Sequence, residues 1–165
     1  MKFVGGKITN GTLVLTDTLI DDASQNGDIF EDVALGGTLL NDTVVLDWFG
    51  KEISGTTLID ASELGKPMST VDEVTCVLTE NTEFQNLHFK DAELVFDANA
   101  KYLVPESGVL CNYIIENSTL KRLASQPSDH LVKKQAYFTE SPIHFNDIII
   151  KDSKIERLGF YIRHY

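Results

Sequence analysis

The stretch "IHFNDIIIKDSKIERLGFYI", residues 143–162, decides how the chain folds. Every fifth residue repeats one role: Phe145, Ile150, Ile155 and Phe160 are large and apolar. Two positions before each stand Ile143, Ile148, Ser153 and Leu158. An amphipathic helix would recur at three, four and seven, and a half-buried strand at two without interruption. A period of five fits neither. It fits a short extended segment, in which two inward side chains flank one outward residue, followed by a corner of two more outward residues.

The same period runs through the first third of the chain. Counting by fives from Phe3 gives Ile8, Leu13, Thr18, Ala23, Asp28, Val33, Thr38, Thr43, Trp48, Ile53 and Leu58, and only Asp28 is charged. A companion set two residues later includes Leu15, Ile20, Phe30, Leu35, Leu40 and Val45. After a phase break the pairs Thr82/Phe84, Leu87/Phe89 and Ala92/Leu94 resume the pattern. Four such segments return the chain to its start after about 20 residues, each turn stacking on the last at roughly 4.8 Å. Each repeat then buries its inner face against its neighbours. Asn and Gly at "TNG" (9–11), "QNG" (25–27) and "GG" (36–37) suit corners that need left-handed backbone angles. The expected fold is all-β, a right-handed parallel β-helix forming one domain over 1–165, with loop excursions near 61–81 and 105–142. An ordinary sandwich of short alternating strands is the alternative.

The segments Thr82-Glu-Phe-Gln-Asn, Leu87-His-Phe-Lys-Asp and Ala92-Glu-Leu-Val-Phe resemble the pentapeptide-repeat family. That family carries a small residue two before a central Leu or Phe. The resemblance covers about half of the chain, in the blocks 8–47, 82–96 and 143–162, and it implies a quadrilateral β-helix. The pattern departs from the family where Ile8, Leu13, Leu87, Ile143 and Ile148 replace the small residue. Two large groups on one short face need more room, so wider or irregular coils are expected there.

Composition narrows the function. Fourteen Lys and Arg against 25 Asp and Glu give a formal charge of −11. Residues 1–100 hold 18 acidic and 5 basic side chains, whereas 101–165 hold 7 and 9. This charge argues against direct nucleic-acid binding by the acidic two-thirds, because phosphates require a positive surface. An acidic surface can instead steer a basic protein onto itself, or it can simply keep a strand-rich protein in solution. No apolar run reaches the roughly 20 residues that cross a bilayer, so no membrane partner is expected. The first residues lack an apolar signal core, which points to the cytoplasm. Cys76 and Cys111 fit no metal-ligand spacing and read as buried free thiols.

No catalytic constellation emerges. The chain lacks a nucleophile elbow, a phosphate-binding glycine loop and paired metal-ligand motifs. His88 and His144 fall at outward positions and read as solvated, and His130 reads as a loop residue. Clustered carboxylates such as Asp22 and Asp42, one coil apart, could run acid/base chemistry on a glycosidic bond, which keeps a small carbohydrate-active enzyme as one alternative. Trp48 occupies a slot meant for a small residue and is expected to cover a widened coil or bulge.

The favoured reading is a non-enzymatic acidic protein without cofactor or metal. Acidic pentapeptide-repeat proteins of similar size imitate duplex DNA and bind type II topoisomerases, so the resemblance implies a basic, DNA-binding or nucleic-acid-processing partner. Asp22, Glu31, Asp32, Asp42 and Asp47 are the expected contact residues. An immunity protein that neutralises a basic toxin nuclease needs the same features. The C-terminal "YIRHY" can cap an open end of the rod or form a homodimer.

Overall fold

The computed structural model describes residues 1–2, 6–21, 28–97, 100–106, 108–123 and 144–156. The chain is strand-rich, and every pairing between its described strands is parallel. Two long strands, β1 (Ile8–Thr18) and β2 (Phe30–Leu39), pair with each other. There follow β3 (Val44–Val45), a 3₁₀ turn at Leu46–Phe49, β4 (Glu52–Ser54) and helix α1 (Gly55–Glu63). Next come β5 (Met68–Ser69), β6 (Val74–Val77), β7 (Thr82–Phe84), β8 (Asn86–Lys90) and β9 (Glu93–Phe96). The last are β10 (Leu103–Pro105), β11 (Leu110–Glu116), β12 (Thr119–Arg122), β13 (His144–Lys151) and β14 (Lys154–Ile155).

Strands that alternate along the chain fall into two five-stranded sheets. One has the order β13-β11-β8-β5-β3 and the other β14-β12-β9-β6-β4; β7 pairs separately with β10. In the first sheet Val44, Met68, Phe89, Ile115 and Ile150 stand in register, beside Leu87, Tyr113 and Ile148. In the second, Val74, Leu94, Leu120 and Ile155 form one row, and Ile53, Cys76, Phe96 and Arg122 another. Except at Ile148, Ile150 and Arg122, these rows belong to the apolar core, which continues through β1, β2, the 3₁₀ turn and α1. Each buried Leu, Ile or Phe in them contributes roughly 1.5–3 kcal/mol by leaving water.

The steps between registered residues are longer than the twenty expected from four pentads. Val44 to Met68 spans 24 residues, Met68 to Phe89 spans 21 and Phe89 to Ile115 spans 26. The first surplus is α1. The sequence pattern places its break at 61–81, but β5 and β6 within that range join the sheets, and the departure begins at Gly55. In the second expected excursion β11 and β12 are also sheet strands, and 124–142 lie outside the described residues.

Burial follows the period of five most closely at 82–94 and departs from it at Thr38, Leu40, Ile148 and Ile150, which are exposed. Thr82, Phe84, Leu87, Phe89, Ala92 and Leu94 are all buried, as the pattern requires. Leu40 is 55% exposed and its neighbour Leu39 is buried instead. An irregularity in the β1–β2 register, where Leu15 faces Gly37 but Thr18 faces Leu39, moves the phase by one residue. Ile148 and Ile150, at inward positions of β13, are each 46% exposed, and β13 is the outermost of the described strands in its sheet. Trp48 is buried in the 3₁₀ turn, where its carbonyl accepts a hydrogen bond from Ile29 N at 2.8 Å.

Corners are set by left-handed residues. Asp91, Asn117 and Asp152 join β8 to β9, β11 to β12 and β13 to β14 with φ of 54°, 44° and 49°. Asn117 Nδ2 donates to Asp91 Oδ1 at 2.6 Å. The next residue continues the tie: Ala92 N donates to Ser118 Oγ and Ser118 N to Ser153 Oγ, both at 3.1 Å. Asn and Asp tolerate this conformation at the smallest cost after Gly. Of the expected corners, Asn10, Gly11 and Gly37 have positive φ, and 25–27 lie outside the described residues.

Helix α1 starts at Ser54, whose hydroxyl accepts from Thr57 N at 3.2 Å, and buries Leu58 and Ala61. Its last turn carries Asp60 and Glu63 and no basic residue, opposite to what the helix dipole favours. Partial burial, then Glu63, raises the Asp60 pKa. Cys76 and Cys111 are buried, and burial pushes the Cys76 thiol well above its usual range.

Two substitutions test this account. A Cβ on Gly37 would lie 2.0 Å from the Leu15 carbonyl oxygen, and φ there is +91°. Gly37→Ala is therefore expected to cost about 3 kcal/mol or more in urea unfolding. Asp60→Asn should act the other way. A raised carboxyl pKa penalises the folded state above that pKa and not below the unfolded value. The variant is thus expected to gain about 0.5 kcal/mol at pH 7 and nothing at about pH 3.

Candidate functional site

Where β1 and β2 begin beside the 3₁₀ turn, β4 and the first turn of α1, the surface opens into a cleft of about 550 Å³. Its apolar side is formed by buried Phe30, Val33 and Ile53 with half-buried Phe49, whose ring lies 5.6 Å from that of Phe30. Asp28, Glu31, Asp32 and Glu52 bring carboxylates to it, and Ser54, Thr57 and Thr79 add hydroxyls. The parallel register explains the assembly: Ile8 N bonds to Ile29 O and Ile29 N to Trp48 O, so three chain segments arrive side by side.

Two lysines answer part of this charge. Lys7 Nζ lies 3.1 Å from Asp28 Oδ2 and 3.6 Å from Glu31 Oε2. Lys51 Nζ lies 2.9 Å from Asp47 Oδ1 and 2.8 Å from Asp72 Oδ2. The hydrogen bond to Asp28 raises the Lys7 pKa, and that to Asp47, followed by that to Asp72, raises the Lys51 pKa. Both ammonium groups are exposed, so these pairs hold geometry more than they hold the fold. Asp32 and Glu52 form no ion pair among the described residues, which leaves the cleft negative on balance.

The five carboxylates expected as contact residues have different fates. Glu31 and Asp32 are exposed and line the cleft. Asp42 is exposed in the bend after β2, outside the cleft. Asp47 is only 5% exposed, and its role is internal. Its Oδ2 accepts from Val71 N at 2.7 Å, and its Oδ1 from Asp72 N at 3.2 Å and from Lys51. It ties the 3₁₀ turn to the segment before β6, so it is corrected from contact residue to structural anchor. Asp22, and with it the Asp22/Asp42 pairing and the C-terminal "YIRHY", lies outside the described residues.

Lys7 and Lys51 were not singled out from sequence, although lysine is scarce there: only Lys2, Lys7, Lys51, Lys66 and Lys90 occur before residue 101. Their scarcity was the available signal. His88 also differs from expectation, since its Nε2 sits 3.1 Å from Glu116 Oε2 rather than in solvent alone. Among the described residues no group of three or more His, Cys, Asp or Glu is placed to hold a metal ion, and no helix is long and apolar enough to cross a membrane.

An apolar wall beside several carboxylates fits a cationic side chain from another molecule. A guanidinium or ammonium can rest its stem on Phe49 and present its donors to Glu31, Asp32 and Glu52. Comparison with family models, curated proteins and solved structures found no match to the chain.

The anchoring role of Asp47 is open to measurement. Asp47→Ala removes the acceptor of the Val71 and Asp72 backbone N–H groups and one of the two carboxylates on Lys51, and should cost about 2 kcal/mol in denaturant unfolding. Asp42→Ala, at an exposed position, should change stability by less than about 0.5 kcal/mol.

Proposed function

We propose that the chain is a parallel β-helix of the pentapeptide-repeat kind that works without catalysis, as an acidic binding protein for a basic macromolecular partner. Two things support the solenoid reading: the pairings are all parallel, and each five-stranded sheet gains its strands in chain order. The binding reading rests on one observation. Glu31, Asp32 and Glu52 stand exposed around an apolar-walled cleft whose two lysines are already held by other carboxylates or by Glu31 alone of the three. Such a site attracts Arg or Lys from a partner and repels nucleic acid.

DNA-binding enzymes and toxin nucleases share the basic surface this cleft would recognise, because both must neutralise phosphates. The partner is therefore a protein of that type, held by its nucleic-acid-binding face. Duplex DNA should compete with the chain for it.

The test uses immobilised protein and the triple variant Glu31→Gln/Asp32→Asn/Glu52→Gln, with retained proteins identified by mass spectrometry. The expected result is a basic nucleic-acid-binding protein that elutes at about 0.5 M salt, where exposed charges are screened within about 4 Å. Its affinity for the triple variant should fall at least about tenfold, and added DNA should displace it. Retention that ignores both salt and the triple substitution would remove the reading.

A further inference from the structure

A second concavity lies on the outward face of the first five-stranded sheet. The C-terminal end of α1 stands over β8, β11 and the Asp147 region of β13, and a groove of about 520 Å³ runs between them. That size suits a small organic ligand.

The sheet wall is a built array of polar groups. Asn112 faces Asn86 on one side and Asp147 on the other in the strand register. Asn112 Nδ2 donates to Asn86 Oδ1 at 2.8 Å. Asn146 is the extra residue where the β11–β13 register shifts, and its Nδ2 donates to Asn112 Oδ1 at 3.0 Å and to Asp147 Oδ2 at 2.8 Å. The amides thus fix one another's planes; both N–H groups of Asn146 are used, while the Asn86 NH₂, one N–H of Asn112 and the amide oxygens retain further capacity. Beside them the His88 imidazole is held by Glu116. Ile114 gives the wall an apolar step, and Glu63 and Lys66 face it from the helix side.

This chemistry selects among ligands. Phosphates and other anions are opposed by Glu63 and Asp147 and by the carbonyl end of α1. Flat aromatic ligands find no Phe, Tyr or Trp in the lining. A free amine is opposed by Lys66 but drawn by Glu63 and Asp147, so charge alone does not select the ligand. A hydroxyl both donates and accepts, which matches a wall where acceptors and donors alternate. Neighbouring hydroxyls can bridge a planar amide or carboxylate, while the C–H face of a ring rests on Ile114.

We propose that this groove binds a small polyhydroxylated molecule of the sugar or cyclitol class. The site is separate from the acidic cleft, and its occupancy does not depend on a protein partner.

The test is a titration of ¹⁵N-labelled full chain with glucose, galactose, N-acetylglucosamine and myo-inositol at about 50 mM, suited to the millimolar affinity of an open polar groove. At least one of them should move the amides of 62–66, 86–88 and 112–114 in a saturable way. Asn86→Ala/Asn112→Ala and, independently, Glu63→Gln/Lys66→Ala should each raise the dissociation constant about tenfold. The helix-side pair is exposed or half-buried, so it decides the matter if the asparagine pair disturbs folding. Absence of groove shifts with all four compounds, or unchanged affinity in the helix-side variant, would overturn the proposal.

Discussion

Parallel registration is the constraint on which everything else depends. When each strand lies directly on the strand one step earlier in its sheet, a side chain's principal neighbours are the residues above and below it in the same row. An inward row must then be apolar along its whole length, as from Val74 to Leu94 and Leu120. A corner must recur in the same backbone conformation, as at Asp91, Asn117 and Asp152. Buried Arg122 shows what an exception requires. It ends the row Ile53, Cys76, Phe96, and its guanidinium is taken up by the carbonyls of Ala100 and Lys101 and by the Tyr102 ring at 5.1 Å. A charge at an inward position is tolerated there because backbone acceptors and an aromatic face replace the water it loses.

Much of this was legible as a period. The pentads at 82–96 named six buried residues, because in short faces the spacing of inward residues is the geometry itself. Helix α1 was hidden by the same signal. Ile53 and Leu58 are five apart and both buried, yet Ile53 lies on β4 and Leu58 on the helix. Leu58, Ala61 and Leu64, spaced by three and headed by Ser54, were the competing clue. The slip at Leu40 was not legible, since an irregular register is decided by backbone pairing rather than side-chain type. For the acidic site, sequence found exposed Glu31 and Asp32 but also buried Asp47. Residue type alone does not separate a carboxylate that faces water from one that satisfies two backbone N–H groups.

Registration also disciplines charge. Two like charges about 4.8 Å apart repel by nearly 1 kcal/mol even in water, and by more near a protein surface. A strongly acidic chain built from stacked strands would accumulate this cost if its carboxylates shared rows. Among the described pairings no like charges stand in register. Glu116 lies between Lys90 and Lys151, Thr119 separates Glu93 from Lys154, Glu52 faces Thr75, and Lys2 meets Asp21. At the corner position Asn117 comes between Asp91 and Asp152 and donates to the former.

Carboxylates thus stand in the stacked rows only opposite neutral or basic residues, and others lie in bends and around the cleft, at Glu31, Asp32, Asp42, Glu73 and Glu80. Those positions have no registered neighbour of the same charge to pull against. If solubility alone were the requirement, alternating signs across the whole surface would meet it at less electrostatic cost. Lysines are available to do so, yet the ones at the cleft are drawn to Asp28, Asp47 and Asp72, while Asp32 and Glu52 are left without an ion pair among the described residues. On the proposed reading, a scaffold that avoids like charges in its rows and leaves Asp32 and Glu52 unpaired beside an apolar wall offers a cationic partner favourable free energy on binding at the cleft.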